Sequence, residues 1–386
     1  MADYEKKYRF VLNLSMLGKS PTGLGVYARH CAESIEKYFN CTIITNYYEP
    51  KTGCPVIASP ANISIGAGKL SPIRRLLYSC KEIKRELDFV YTPTHHGMIR
   101  HDRQIITIHD LICIHHPRQH LFQYLFFKTI LPLLIKKSTA IFTVSETARD
   151  EISRYYSVDK KRIFVVPDGV DQERYTPGKD FAGSVKNYLL VVGAAYPHKN
   201  ILELLQNWQL WKGRYRVKIV SAKGKYERLL KSFVEENGLV EVVDFLGYVS
   251  DENLVCLYQN CSALVFPSLW EGFGLPPIEA LACGRPVIAS DIAVHKEVLG
   301  DSVFYITPGE PETWQAAFTA LAMETVVEDK VSKGLQRVRE LSWQKSGDKL
   351  VSALLTVYPQ LALSKKCEQL NGEDRTPQAA AYFPGG

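Results

Sequence analysis

The chain has 386 residues, which is more than one ordinary hydrophobic core and suits two domains of roughly 150 to 200 residues. A hydrophobic fraction of 46% and a charged fraction of 23% are typical of a soluble globular protein. The net charge of +6 fits an anionic small molecule or an anionic lipid surface, but it is too small to indicate nucleic-acid binding.

The first half of the chain alternates short apolar runs with helical patterns. Tyr27, Cys31 and Ile35 recur at helical spacing between the first two runs. The runs themselves are rich in β-branched residues, as in strands buried on both faces of a parallel sheet. They span residues 10–17, 41–46, 89–94, 104–111, 140–146 and 163–169. This alternation predicts an α/β domain.

The most apolar segment, residues 121–138, is interrupted by polar residues and a proline and is too short to span a bilayer. We favour a core helix of the first domain here. Its aromatic residues, followed by Lys136 and Lys137, also fit a helix on a membrane surface, so peripheral membrane contact is the second interpretation.

Residues 167–181 break the pattern with proline, glycine and charge, and we interpret them as a linker. Strands are predicted again at residues 188–194, 216–222, 242–248, 263–269, 286–291 and 303–308. Gly238 is a predicted left-handed C-cap. The sequence predicts two doubly wound parallel-sheet domains, residues 1–174 and 175–342, a helix near 343–363 that joins the first domain, and a flexible tail at 366–386.

Cysteine usage indicates a reducing compartment. The nine cysteines show neither a CxxC pair nor metal-ligand spacing, which predicts no disulfides and no metal site. The N-terminus lacks the pattern of a signal peptide. A cytoplasmic location is therefore expected.

Two glutamates flank a loop rich in glycine and proline after a predicted strand. Glu271 lies in the loop, and Glu279 is placed in the first turn of a short helix that is predicted to begin near Pro277. Gly272 and Gly274 let the backbone approach a ligand and offer N–H groups beside the helix dipole. This arrangement suits an anion flanked by hydroxyl groups. Alternatively, Glu279 only stabilises the helix dipole.

The run EGFGLPPIEALACGRPVIAS, residues 271–290, resembles the donor-site signature of retaining glycosyltransferases of family 4. The segments TGLGVYA, TIHDL, FTVSE, VVPDGVD, VVGAAYPHKN and DFLGYVSDENL follow in the family's order and approximate spacing. The resemblance implies the GT-B fold, in which two Rossmann-like domains face a cleft. It also implies an enzyme that moves a hexose from a nucleotide sugar to a glycan or lipid-linked acceptor, without a cofactor.

The resemblance implies roles for individual residues. Catalytic roles fall to His109 near the reacting carbon, to Glu271 at the donor sugar and to Lys199 at the phosphate. The implied donor-binding residues are Gly23 and Gly25 against the diphosphate, His198 beside Lys199, Tyr248 and Val249 at the base, Gly272, Phe273, Gly274 and Leu275 at the sugar, and Glu279 at the ribose.

A charge argument for Lys199 does not depend on the resemblance. Breaking the sugar–phosphate bond leaves a nucleoside diphosphate with growing negative charge, and the sequence has no DxD motif at this site. A fixed ammonium and helix-terminal amides are then needed to stabilise that charge. Many relatives carry an arginine where this chain has Ala194. Either His198 or another arginine replaces it, or phosphate binding is weaker.

The favoured donor is GDP-mannose, because TGLGVYA and PHKN resemble segments of polysaccharide mannosyltransferases; UDP-glucose or another UDP-sugar comes next. No residue is identifiable as a covalent nucleophile. We therefore hypothesise front-side attack, in which the leaving phosphate oxygen accepts the proton of the acceptor hydroxyl, with domain closure excluding water.

Two other functions stay open. The GxGxxA pattern at Gly23, with Glu49 downstream, matches a dinucleotide fingerprint and favours an NAD-dependent oxidoreductase. Against this, the insertion GKSPT, residues 18–22, separates the glycines from the preceding strand. The other alternative is a relative that binds nucleotide sugars with little turnover, which Ala194 supports.

Overall fold

The computed structural model describes residues 9–18, 23–65, 67–68, 70–78, 88–178 and 187–363. The predicted tail at 366–386 lies outside the described residues. So do residues 19–22 of the predicted insertion and residues 179–181 of the predicted linker.

The first sheet has seven strands, of which six were predicted. They are β1 (Arg9–Asn13), β2 (Cys41–Thr45), β3 (Val56–Ala58), β4 (Asp88–Thr92), β5 (Gln104–Thr107), β6 (Ser138–Thr143) and β7 (Ile163–Val165). Their order is β3-β2-β1-β4-β5-β6-β7, and every strand pair with a defined register is parallel. The unpredicted strand, β3, is three residues long and lies at the edge of the sheet.

The second sheet has six strands, all of them predicted. They are β8 (Tyr188–Val192), β9 (Arg216–Val220), β10 (Val243–Gly247), β11 (Ala263–Phe266), β12 (Val287–Ser290) and β13 (Phe304–Ile306). Their order is β10-β9-β8-β11-β12-β13, and all pairs are parallel. The central β8 and β11 are neighbours, with Ala263 opposite Leu189. Ligand-binding loops are therefore expected where these two strands end.

The described residues form fourteen α-helices. They are α1 (Gly23–Tyr38), α2 (Ser71–Leu77), α3 (Ile112–His115), α4 (Leu121–Thr129), α5 (Leu131–Lys137), α6 (Glu146–Tyr156), α7 (Ile201–Gln206), α8 (Gly224–Glu236), α9 (Asp251–Asn260), α10 (Leu275–Ala282), α11 (Ala293–Leu299), α12 (Pro311–Leu321), α13 (Glu324–Val338) and α14 (Trp343–Val357). Gly238, with φ of +60°, follows the end of α8 in the predicted left-handed conformation.

The core of the second sheet is built on apolar strand residues and two tryptophans. Trp211 and Trp314 are fully buried, and each indole N–H has a partner. Trp211 donates to the carbonyl of Leu204 at 2.9 Å, and Trp314 donates to the Glu203 carboxylate at 2.9 Å. Satisfied indoles allow these large side chains to be buried without a lost hydrogen bond.

Contacts between residues divide the chain into two compact units. The first consists of Met1–Ile106, Lys137–Thr139 and Leu350–Gly386, and the second of Thr107–Lys136 and Ala140–Lys349. All the side-chain contacts of the candidate site described below lie inside the second unit. The predicted division at residues 174 and 175 stays a prediction.

Candidate active site

Two neighbouring loops bring a lysine and a glutamate together. The loop after β8 ends in a 3₁₀ turn, Pro197–Lys199, and Asn200 then takes a left-handed conformation with φ of +58°. The backbone N–H of Leu269, in the loop after β11, donates to the carbonyl of His198 at 2.8 Å. This bond joins the two loops at one edge of the sheet.

Lys199 and Glu271 form an ion pair at this edge. Nζ of Lys199 lies 2.5 Å from Oε1 of Glu271, and the two side chains are 20% and 8% exposed. Burial by itself raises the pKa of the Glu271 carboxyl, but the charge and hydrogen bond of Lys199, with a smaller effect of Ser268, bring it below its ordinary value. The carboxylate is therefore ionised at neutral pH, and it is placed to accept hydrogen bonds.

The backbone of the loop that follows Glu271 packs closely against the backbone of His109. A Cβ atom on Gly272 would collide with the carbonyl oxygen of His109 and would lie 3.0 Å from Cβ of Asp110. The carbonyl of Gly272 accepts a hydrogen bond from Ser145 Oγ at 2.8 Å. Only glycine fits this close approach, and the loop backbone is thereby fixed. His109 itself is buried, as is Phe273.

The helix after this loop begins earlier than predicted. It starts at Leu275, with Gly274 as N-cap at φ of +103°, rather than near Pro277. Pro276 and Pro277 both fit inside the first turn, because the N–H groups they lack have no intrahelical partner there. The prediction that Glu279 lies in the first turn is therefore wrong, since Glu279 is the fifth residue of α10.

Glu279 is bound by tyrosine. Its carboxylate accepts a hydrogen bond from the hydroxyl of Tyr258 at 2.7 Å. Burial raises the pKa of Glu279, and hydrogen bonds from Tyr258 and Tyr175 only partly offset that effect. The side chain therefore has structural partners in the tyrosines, whereas its place beyond the first turn weakens the dipole role considered from the sequence.

His198 lies in a cluster of rings beside Lys199. Its ring stacks on those of Tyr196 and His116, with centroids 5.7 Å and 5.4 Å away, and Nδ1 lies 2.9 Å from Oε1 of Gln119. Burial, followed by the charge of Lys199, lowers the pKa of His198 to about 3. His198 is therefore neutral at pH 7 and adds no positive charge to the site.

Two histidines of this cluster were missed from the sequence. His116 and His120 received no role because they match no ligand pattern, although both follow the end of β5. The structure places the ring of His120 4.4 Å from Tyr196 and 5.8 Å from His198. The sequence carries only a weak signal for them, because α3 lies between both histidines and the end of β5. Ala194, at the position of the family arginine, is fully buried.

Asp110 is a second carboxyl close to the ion pair. Burial raises its pKa to about 6; the bond from Ile112 opposes this shift, and the charge of Glu271 adds to it. Oδ1 accepts the backbone N–H of Ile112 at 2.9 Å. Asp110 therefore caps the turn that leads into α3.

The remaining predicted residues lie elsewhere in the two units. Gly23 is the exposed first residue of α1 and Gly25 is buried in the same helix, both in the first unit. Tyr248 follows β10 and is 79% exposed, and Val249 is half-buried. In the part of the chain that the structure describes, no group of three His, Cys, Asp or Glu side chains could hold a metal ion.

Comparison with known proteins identifies the family. The glycosyl transferases group 1 family matches residues 178–333, and Glycosyltransferase Family 4 matches residues 21–174. The O-antigen chain mannosyltransferase RfbU of Salmonella typhimurium is 34% identical over 320 residues, covering 80% of this chain and 89% of that protein. The chain belongs to glycosyltransferase family 4.

A second relative of this glycosyltransferase is the O-antigen chain mannosyltransferase B of Escherichia coli, 28% identical over 75% of this chain and 79% of the relative. Solved structures show the fold. Sucrose-phosphate synthase of Thermosynechococcus elongatus has a TM-score of 0.71 at 17% identity, covering 91% of this chain and 99% of that one. Anabaena HepE, in complex with UDP and glucose, has a TM-score of 0.70 at 16% identity, covering 90% and 100%.

These findings confirm three predictions about the glycosyltransferase: its family, its GT-B fold and its class as a transferase enzyme. The oxidoreductase alternative is set aside, because the glycine pattern at Gly23 lies inside the region matched by Glycosyltransferase Family 4. None of the described helices is long and apolar enough to cross a bilayer.

Proposed function

We propose that this glycosyltransferase moves mannose, with retention, from GDP-mannose to a growing glycan or a lipid-linked acceptor. Support for mannose comes from the relatives, since RfbU and the E. coli protein are both named O-antigen chain mannosyltransferases. A UDP-sugar is the second choice of donor. The oxidoreductase is not proposed, because its glycine pattern belongs to the region matched by Glycosyltransferase Family 4. The weakly active binding relative, which Ala194 favours, is an outcome of the test below.

The observation that carries the proposal is the ion pair of Lys199 and Glu271. Its two charges suit the two halves of an activated sugar. The ammonium neutralises the charge that grows on the leaving diphosphate, and the ionised carboxylate accepts from sugar hydroxyls. The two side chains touch at 2.5 Å, so the pair must open to admit a donor whose glycosidic carbon lies between the ammonium and the carboxylate.

Backbone amides complete the proposed grip. Pro276 and Pro277 have no N–H groups, so the amides available to the donor at the start of α10 are those of Gly272, Phe273, Gly274 and Leu275. Gly272 is fixed by Ser145 and by the backbone of His109. Amides held in this way need no reorganisation as charge develops, which favours the transition state.

The remaining roles follow the family resemblance. Glu279 binds the ribose, Tyr248 and Val249 contact the base, and Gly23 and Gly25 approach the diphosphate. His109 lies near the reacting carbon. Transfer is front-side: the bond from the anomeric carbon to the phosphate oxygen breaks, the acceptor oxygen bonds to the same face of that carbon, and the phosphate oxygen takes the acceptor's proton.

The proposed location is the cytoplasm, with peripheral contact at the membrane face. Helix α4 buries only Phe127 among its residues, while Leu121, Phe122 and Leu125 are 56%, 85% and 49% exposed. The exposed apolar side chains, with Lys128 on the same helix, suit an anionic lipid surface. Flotation with anionic vesicles tests this: Phe122→Ser should lower bound protein severalfold, whereas Leu229→Ser, at an exposed leucine of α8, should not.

The function itself is tested by donor screening. Thermal shifts are measured with GDP, UDP, ADP and their sugar conjugates, with NADH as the control, and release of nucleoside diphosphate is then followed with and without glycan acceptors. Stabilisation by GDP and GDP-mannose, with release of GDP, is expected. Preference for UDP would overturn the donor, and tight binding with neither hydrolysis nor transfer would overturn the enzymatic proposal.

A further inference from the structure

His295 is a fully buried histidine that the proposed function does not yet use. It lies on α11, and its Nδ1 is 2.9 Å from the carbonyl oxygen of Ser290. A carbonyl oxygen can only accept, so Nδ1 carries the proton and donates. The neutral ring then has its lone pair on Nε2, which makes this nitrogen an acceptor.

Nε2 of His295 points at the loop between Glu271 and α10. A Cβ atom on Gly274 would lie 3.8 Å from it, and the ring is close enough to Glu271 and Lys199 to feel both charges. Burial lowers the pKa of His295 and the charge of Glu271 opposes this shift only in part, which keeps the ring neutral. Among the described residues, Nε2 has no hydrogen-bond partner.

A buried acceptor without a partner is costly and uncommon, so this one calls for a donor group. We propose that Nε2 of His295 accepts a hydrogen bond from one hydroxyl of the donor hexose, an inference that rests on the proposed function. The ion pair that lies near this nitrogen must loosen for Lys199 to bind phosphate and for Glu271 to bind sugar. The same step admits the sugar hydroxyl to Nε2.

This contact makes His295 a specificity-determining residue. A hexose that lacks the bonded hydroxyl, or carries it in the opposite configuration, leaves Nε2 unpaired inside the protein. Sites built around such a bond discriminate far more strongly than apolar pockets do. His295 on α11 then helps to determine which hexose the site accepts.

Two substitutions distinguish the role of Nδ1 from the role of Nε2. His295→Asn keeps a donor at the position of Nδ1, and so the bond to Ser290, but removes Nε2. His295→Gln keeps an acceptor near the position of Nε2 and gives up the bond to Ser290. A purely structural role of His295 predicts that the asparagine variant is active and the glutamine variant is impaired. The proposal predicts the reverse.

The experiment measures kcat/KM for wild type and both variants with GDP-mannose and with its 2-, 3-, 4- and 6-deoxy forms. In the wild type, at least one deoxy donor should be used roughly tenfold or more less well. His295→Asn should lose roughly tenfold to a hundredfold with GDP-mannose and should no longer distinguish that deoxy donor. His295→Gln should stay within about threefold of wild type and should keep the distinction.

Equal deoxy penalties in wild type and His295→Asn would overturn the inference, and would leave a buried water as the partner of Nε2. A wild type that tolerates all four deoxy donors would overturn it without any variant. Sugar hydroxyls that bind Glu271 are distinguished from the one at His295, because removing them from the donor should lower kcat/KM in His295→Asn as much as in wild type. If wild type turns over no nucleotide hexose at all, the proposed function fails instead.

Discussion

The Lys199 ammonium and the Glu271 carboxylate are separated by 72 positions in the sequence and by 2.5 Å in the structure. Each follows a central strand of the second sheet, β8 or β11, and the bond from Leu269 to His198 joins the two loops. The two residues assigned to phosphate and to sugar are thus a single electrostatic unit, and changing either one alters the other.

Removing either member of this pair should abolish most activity. Glu271→Gln keeps the shape and loses the charge, and Lys199→Met keeps the stem and loses the ammonium. Each should lower kcat/KM for donor turnover by roughly a hundredfold or more, as loss of a group that stabilises developing charge does. The exposed pair Arg216–Asp244 supplies the control, since Arg216→Met should leave turnover unchanged. Near wild-type rates in either site variant would remove that residue from the mechanism.

The same pair predicts how stability depends on pH. Lys199 holds the pKa of Glu271 below its ordinary value of 4.5, so the pair contributes stability above that pH and loses it as pH falls through the lower, folded-state pKa. In Lys199→Met the charge and the hydrogen bond that most lower the pKa of Glu271 are lost, so burial dominates and the pKa rises. The variant should therefore be less stable than wild type by about 2 kcal/mol at pH 7, and nearly equal to it at a pH below the folded-state pKa of Glu271 in the wild type. Urea denaturation at both pH values measures this, and an equal deficit at both would contradict it.

Strands buried on both faces could be predicted from the sequence, and the exposed edge strand could not. All twelve apolar runs became strands, because a parallel sheet covered by helices demands continuous apolar residues. Strand β3 was not predicted because Val56 and Ala58 are exposed, so its sequence shows neither an alternating pattern nor a long apolar run. The start of α10 was misplaced by two residues because Pro276 and Pro277 fit the first turn equally well.

Candidate site residues that follow strands could be named from the sequence, but their supports could not. Glu271 could be placed beyond the carboxyl end of a strand from the local pattern, whereas Lys199 was singled out by the family resemblance and by the charge argument. The hydrogen bond from Ser145 to the carbonyl of Gly272 joins residues 127 positions apart, and the sequence around either residue does not predict it. His295 was missed for the same reason: its only signal is an unpartnered nitrogen, which exists only after folding.

The proposal that Glu279 binds the ribose predicts which nucleotides the protein prefers. Wild type should bind GDP at least tenfold more tightly than 2′,3′-dideoxy-GDP, because a hydrogen bond to a charged acceptor is lost with the hydroxyls. Glu279→Gln should weaken GDP binding and lose most of this preference. Tyr258→Phe removes only the 2.7 Å bond to the carboxylate, so this variant should keep the preference for GDP. Calorimetric titration gives all the constants, and an unchanged preference in Glu279→Gln would return Glu279 to a structural role.

Two glycines that the sequence assigns to the donor should respond differently to alanine. Gly272→Ala places Cβ against the carbonyl oxygen of His109, so the backbone must shift, the melting temperature should fall, and kcat/KM should drop by roughly a hundredfold. At Gly23 a Cβ meets no atom of the described residues within 4 Å, and the position is helical, so Gly23→Ala should melt at or above the wild-type temperature. If Gly23 approaches the diphosphate as proposed, that stable variant should still bind GDP and GDP-mannose severalfold more weakly. Undiminished GDP binding by Gly23→Ala would show instead that the glycine is needed by neither the fold nor the donor.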